Sequence, residues 1–274
     1  MIAGLDANGN TIVKTDSTGS TSYTWDFENR LASVTLPGSG GTVTFKYDPF
    51  GRRVYKSSSS ATSVYAYDRN NLIEETNSTG AVVAHYSQAL NIDEPLAMLR
   101  GGTTSFYHAD GLGSVTSLSN VVGALAQTYT LDSFGKLTNS SGSLTNPFQF
   151  TARESDAETG LYYYRARYYD PSTGRFLSED PLRFKSGVNF YSYVKNSAVN
   201  LKDPYGLCDT ADNPLGLGWC ISVCHAKASL DRALCLINEL WVADFDKSCL
   251  QTVSGLEHQC IETCYADYGQ PRRH

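Results

Sequence analysis

The chain has 274 residues, enough for one or two domains with a buried core. Its 22 Lys and Arg residues stand against 28 Asp and Glu residues, and this acidic balance argues against a nucleic-acid-binding surface. No apolar run approaches the ~20 residues needed to span a bilayer, and Met1–Asp6 lacks the regions of a signal peptide. We therefore expect any export to proceed without a signal peptide in this chain.

A short unit recurs through residues 1–150. It consists of an aromatic or other β-forming residue, an Asp, two or three turn residues that often include Gly, and then a polar and an aliphatic residue. The clearest copies are Trp25–Leu31 and Tyr47–Val54, and the weaker ones are Tyr67–Ile73, Tyr107–Val115 and Leu131–Leu137. Each unit predicts a β-hairpin, because Asp accepts hydrogen bonds from turn N–H groups and Gly supplies a positive φ. We interpret the aspartates as turn caps rather than as metal or sugar ligands, and we expect the hairpins to stack into one extended sheet.

The stretch Gly160–Leu207 separates these repeats from a chemically different tail. With a period of two residues, Leu161–Tyr169 predicts one strand with Arg165 and Arg167 on the same face. Arginines among aromatic residues can stack on nucleic acid, but in an acidic region we favour packing of both side chains along tyrosine rings. Asn189–Val194 predicts a further strand.

Three motifs in this stretch carry a resemblance to a known family. Residues 160–171 read GLYYYRARYYDP, residues 174–181 read GRFLSEDP, and residues 203–207 read DPYGL. Together with the upstream units, they resemble the Rhs (YD-repeat) family and its repeat-associated core domain, which is related to teneurins and to the C components of insecticidal toxin complexes. The resemblance covers residues 1–207. It implies a mainly β fold, in which stacked YD-repeat hairpins form an open fragment of a coiled β-sheet shell that other Rhs repeats complete.

The resemblance also implies an activity. Rhs cores are aspartic autoproteases that cut the chain directly after their final Asp-Pro-x-Gly-Leu motif. On this sequence the scissile bond joins Leu207 to Cys208, the two carboxylates are Asp180 and Asp203, and Arg175 is a candidate supporting cation. Such a mechanism needs two carboxylates close enough to share a proton. Asp-Pro pairs are also common turn starters, so a purely structural role for both aspartates stays open.

All seven cysteines lie at or after Cys208, where the periodicity changes from strand to helix. Six of them are spaced in mirror symmetry about residue 242, as in an antiparallel helical hairpin with three facing pairs. We therefore predict three disulfides and a free Cys208 in an oxidising destination. The predicted pairs are Cys220 with Cys264, Cys224 with Cys260, and Cys235 with Cys249. A zinc tetrathiolate of the outer four cysteines is the alternative, and it leaves the inner pair unexplained.

These features predict three regions. They are a YD-repeat β scaffold at residues 1–150, a repeat-associated core at 151–207, and a cysteine-rich helical hairpin at 208–274. The predicted protein is the C-terminal part of a bacterial polymorphic toxin, secreted or at the cell surface. Its core is at most an aspartic peptidase that acts once in cis to release a small effector.

We expect no cofactor, no metal and no nucleic-acid partner. The expected partners are an immunity protein and a secretion-system component, and the tail is expected to contact a membrane. The alternatives are a cell-surface fragment with an adhesive or carbohydrate-binding role and no enzymatic activity, or a truncated remnant of a longer gene.

Overall fold

Hairpin follows hairpin through the first part of the chain in the computed structural model, which describes residues 2–183 and 188–207. In these residues a 14-stranded antiparallel sheet runs in strict chain order, so each strand pairs with the next one along the chain. The strands are β1 (Ile2–Leu5), β2 (Thr11–Asp16), β3 (Gly19–Trp25), β4 (Leu31–Thr35), β5 (Thr42–Tyr47), β6 (Arg53–Ser57), β7 (Thr62–Asp68), β8 (Asn71–Asn77), β9 (Val82–Gln88), β10 (Pro95–Arg100), β11 (Thr103–Ala109), β12 (Val115–Ser119), β13 (Leu125–Leu131) and β14 (Leu137–Gly142). This meander confirms the predicted mainly β fold of stacked hairpins.

The repeat aspartates lie in the turns of this sheet. Asp26 Oδ1 accepts hydrogen bonds from the N–H groups of Glu28 and Arg30, each at 2.9 Å, and Arg30 Nε donates to Asp26 Oδ2 at 2.7 Å. The same two backbone bonds recur at Asp48, Asp110 and Asp132. These contacts confirm the predicted role as turn caps, because the carboxylates satisfy backbone donors that the strands leave unpaired. The Tyr67–Ile73 copy differs, since its strands pair up to Asp68 and Asn71 and leave a two-residue turn.

A second, four-stranded antiparallel sheet follows, and we call it the core sheet. Its strands are β15 (Glu154–Asp156), β16 (Leu161–Tyr164), β17 (Arg167–Asp170) and β18 (Arg175–Phe176). Every residue of β16 and β17 is buried. The core sheet lies in the same unit as the large sheet, with which it shares a hydrophobic cluster that includes Phe45 and Tyr163. Such burial on both faces explains why this stretch is almost continuously aromatic.

Two strand predictions for this stretch are wrong. The predicted strand Leu161–Tyr169 is a hairpin, in which Tyr162 faces Tyr169 and Tyr164 faces Arg167. The chain reverses at Arg165 and Ala166, and Arg165 takes a φ of 57° that usually calls for Gly or Asn. The segment Asn189–Val194 forms only an isolated bridge, from Ser192 to Arg175, before a short 3-10 helix at Val194–Asn196.

The helical content of the described residues is confined to short 3-10 turns, among them Phe150–Ala152. None of the helices in this part of the chain is long and apolar enough to cross a membrane. The predicted helical hairpin, its three disulfides and the predicted free Cys208 lie outside the described residues.

Candidate active site

Arg167, the first residue of β17, lies between the two aspartates that the sequence singles out. Its Nη2 atom is 3.1 Å from Asp180 Oδ2 and 3.5 Å from Asp203 Oδ2. All three side chains are buried, and the guanidinium stacks on the ring of Phe176 with 3.6 Å from Cζ to the ring centroid. A guanidinium is a rigid, permanently charged fork, so it holds both carboxylates against one side of the core sheet.

Asp180 is oriented by the chain on both sides of it. Its Oδ1 accepts a hydrogen bond from the N–H of Leu182 at 2.8 Å, while its own N–H donates to the carbonyl of Phe190 at 2.9 Å. Arg167 Nη1 donates to the same Phe190 carbonyl at 3.0 Å. One oxygen of Asp180 therefore serves the local turn, and the other faces Arg167.

Asp203 belongs to the Asp-Pro-x-Gly-Leu motif and reaches forward along it. Its Oδ1 accepts a hydrogen bond from the N–H of Leu207 at 3.0 Å, so the carboxylate holds the residue that precedes the predicted scissile bond. Arg167 Nε donates to the carbonyl of Gly206. Gly206 has a φ of 68°, and a Cβ built on it would lie 2.3 Å from the Tyr164 carbonyl oxygen, so only glycine fits here.

A neutral hydroxyl completes the surroundings of Asp203. Burial raises the pKa of Tyr193 well above its ordinary value; the hydrogen bond with Tyr164 lowers it in part, and the charge of Asp203 raises it again. Tyr193 thus keeps its proton at physiological pH. It packs among the buried rings of Tyr164, Tyr169 and Phe176.

The structure brings Asp180 and Asp203 together around one cation, and that cation is Arg167. Arg175, our sequence-based candidate for that role, is exposed on β18, where its backbone pairs with Asp170. Arg165 and Arg167 both pack on aromatic rings, although the rings are those of Tyr205 and Phe176. A hairpin with its turn at Arg165 places Arg167 opposite Tyr164. Recognising that turn in the sequence could have identified Arg167.

The arrangement has the chemical parts of an acid–base pair. Two buried carboxylates share one guanidinium, and one of them binds the backbone just before a specific peptide bond. Carboxylates in such a setting can take a proton from water and return it to a leaving amine.

No family model matches the chain. Among solved structures, the crystal structure of TcdB2-TccC3 aligns with a TM-score of 0.60 and 25% identity, covering 74% of this chain and 11% of that chain. The described fold is therefore similar to that of a part of the TcdB2-TccC3 structure.

Two relatives define the family. The tRNA3(Ser)-specific nuclease WapA of Bacillus spizizenii is 34% identical over 211 residues, covering 73% of this chain and 9% of the relative. The probable deoxyribonuclease RhsA of Dickeya dadantii is 30% identical over 223 residues, covering 77% of this chain and 15% of the relative. The chain belongs to the Rhs family. It spans less than a sixth of the length of these relatives.

Proposed function

We propose that this chain cuts itself once, by aspartic hydrolysis of the bond between Leu207 and Cys208, and so releases residues 208–274. The observation that carries the proposal is the contact of Arg167 with both Asp180 and Asp203, combined with the hydrogen bond from Leu207 N–H to Asp203. One cluster thereby joins the two carboxylates to the last residue of the motif.

The hydrolysis uses one water molecule. One carboxylate takes a proton from the water molecule while the oxygen of that water bonds to the carbonyl carbon of Leu207. The other carboxyl group starts in its acid form and donates a proton to the carbonyl oxygen. When the C–N bond breaks, the nitrogen of Cys208 leaves with the proton taken from the water. The carbonyl oxygen returns its proton to the carboxyl group that donated it, so Leu207 ends as a carboxylic acid and Cys208 as an amine. The new carboxylic acid then loses its remaining proton to the solvent. Arg167 stabilises the negative charge on the pair throughout.

Release gives the scaffold and the tail separate roles. We propose that the described β region is part of a larger Rhs shell, with further repeats pairing at the open edges of β1 and β14. Residues 208–274 are then the variable effector of a toxin used against competing bacteria, and its producer carries an immunity protein. Relatives that are named as toxins support a secreted or cell-surface destination, which we propose is reached through a secretion system.

The test is the intact mass of the purified full chain. Wild type should give two fragments, one ending at Leu207 and one starting at Cys208, whereas Asp180→Asn and Asp203→Asn should each remain one chain. The matched control is Asp170→Asn, because Asp170 is also buried and followed by Pro but pairs with Lys14 at 2.6 Å. The control should be cut like wild type. An uncut wild type, or Asn variants cut at the wild-type rate, would refute the proposal.

A further inference from the structure

The turn between β16 and β17 donates hydrogen bonds to the carbonyl groups of the cleavage motif, residues 203–207. Arg165 Nη1 donates to the carbonyl of Pro204, the N–H of Ala166 donates to the carbonyl of Tyr205 at 3.1 Å, and Arg167 Nε donates to the carbonyl of Gly206. The two turn residues and the first residue of β17, residues 165–167, thus bind three consecutive carbonyls of the motif, 204–206. This row of bonds fixes the register of the motif, because a shift by one residue would break all of them.

Arg165 is itself held by the large sheet. Asp93, in the loop between β9 and β10, is buried and accepts from Arg165 at both oxygens, with Nη2 to Oδ1 at 2.7 Å and Nη1 to Oδ2 at 3.1 Å. The carbonyl of Asn70 accepts a further bond from Arg165 Nη2 at 3.0 Å, and Arg153 also donates to Asp93 Oδ1. A bidentate pair fixes the plane of a guanidinium as well as its position. The direction in which Arg165 meets Pro204 is therefore set by a loop residue that lies 72 positions before Arg165 in the chain.

The backbone conformation at position 165 indicates that an arginine stands there because of the contacts of its side chain. Its φ of 57° lies in the left-handed region, where a two-residue hairpin loop normally has Gly, Asn or Asp. Strain of this kind persists only where the surroundings hold the residue in place, and it collects at functional sites. Here the surroundings are Asp93 and the motif, and the guanidinium also lies 5.7 Å from the ring centroid of Tyr205.

We propose that Asp93 and Arg165 are positioning residues for self-cleavage: Asp93 aims Arg165, and Arg165 holds the Pro204 carbonyl so that the bond after Leu207 is presented to Asp180 and Asp203. This inference rests on the proposed self-cleavage. It has a consequence for the order of events, because the β9–β10 loop must be folded against the core sheet before the motif is aligned. The cut is thereby coupled to completion of this part of the scaffold, and a partly folded chain keeps its tail attached.

The rate of self-cleavage tests the pair. In a time course of cell-free synthesis, we expect Arg165→Gly to slow cleavage roughly ten- to hundred-fold, as expected for loss of a charged hydrogen bond that aligns a reacting group. Asp93→Asn should slow it less, because one oxygen still accepts from Arg165. Arg165→Lys should restore part of the rate by keeping the charge. The control is again Asp170→Asn, which disturbs a partly buried ion pair between β17 and β2 at the other end of β17 from Arg167.

The urea midpoint of each variant, measured in the uncut Asp180→Asn background, separates positioning from general weakening. Gly suits the backbone of residue 165, so Arg165→Gly should slow cleavage more than its loss of stability explains, while Asp170→Asn loses stability and keeps its rate. If the rates of all variants follow their midpoints on one line, the positioning role is refuted.

Hydrogen exchange in the same background gives a readout that does not depend on cutting. Asp93→Asn leaves the turn residues unchanged, yet it should speed exchange at the Leu207 and Ala166 amides and leave the Tyr163 amide in β16 unaffected. Unchanged exchange at Leu207 would overturn the inference, as would a cut of Arg165→Gly at the wild-type rate. If the wild type itself is never cut, the proposed function fails first and the positioning role for cleavage fails with it.

Discussion

Gly206 packs tightly against the core sheet, and Gly206→Ala tests that approach. Its φ of 68° disfavours any residue with a Cβ, and the added Cβ would lie 2.3 Å from the Tyr164 carbonyl oxygen and 3.2 Å from the Arg167 nitrogen. Gly160→Ala is a matched control, since Gly160 has a φ of 70° but open space around the position of a Cβ.

Both variants place an Ala in a left-handed backbone conformation, and only Gly206→Ala adds a steric clash. A left-handed conformation costs an Ala about 1–2 kcal/mol, and overpacking of a buried site adds about 1–3 kcal/mol. Gly160→Ala should therefore lose only the first amount of unfolding free energy, and Gly206→Ala should lose both. Relief of the clash also requires the motif to move by several tenths of an ångström or more, which we expect to slow cleavage roughly a hundred-fold.

Urea denaturation of both variants in the uncut Asp180→Asn background gives the stability difference. A time course of intact mass in the otherwise wild-type chain gives the rate of cutting. The reasoning is refuted if Gly206→Ala is as stable as Gly160→Ala, or if the two chains are cut at the same rate.

Three further predictions concern the scaffold. Arg53→Met should lower the unfolding free energy by about 3–5 kcal/mol in urea titrations, because it leaves buried Glu154 without its cation and buried Asp156 with Lys56 alone. Arg52→Met at a partly exposed pair should cost at most about 1 kcal/mol. Asp26→Ala should cost about 1–2 kcal/mol by the same measurement, since two turn N–H groups lose their acceptor. Burial raises the pKa of Asp93, but Arg153 and Arg165 lower it by more. The ionised carboxylate therefore stabilises the fold at pH values above its ordinary pKa of 3.8, and this stabilisation is lost as the pH falls through the lowered pKa. The stability gap between wild type and Asp93→Asn should thus be constant near neutral pH and narrow below about pH 4; a gap that widens in acid would contradict the assignment.

The repeat scaffold could be predicted from the sequence because its rules are local. An Asp followed within four residues by Gly and a β-forming residue specifies its own turn, as at Asp48 and Asp132, and strand order follows when every turn is short. The resemblance of the two Asp-Pro motifs to the Rhs core singles out Asp180 and Asp203 as well.

The rest depends on contacts between residues far apart in the chain. Arg165 and Ala166 carry no turn signal, so the hairpin they form could not be distinguished from one long strand by periodicity. Once that hairpin is missed, Arg167 cannot be placed beside Asp180 and Asp203, and the exposed Arg175 is the obvious cation in the neighbouring motif. The contact of Asp93 with Arg165 joins two loops with no local pattern in common, and only the folded chain relates them.

The measurement that tests the central claim most directly is the mass of the wild-type chain produced and folded in heavy-oxygen water. Hydrolysis by the Asp180 and Asp203 pair predicts a fragment that ends at Leu207 and carries one heavy oxygen atom in its new carboxylate, together with a tail that begins at Cys208. A single chain of 274 residues, or a cut at another bond, would contradict the account.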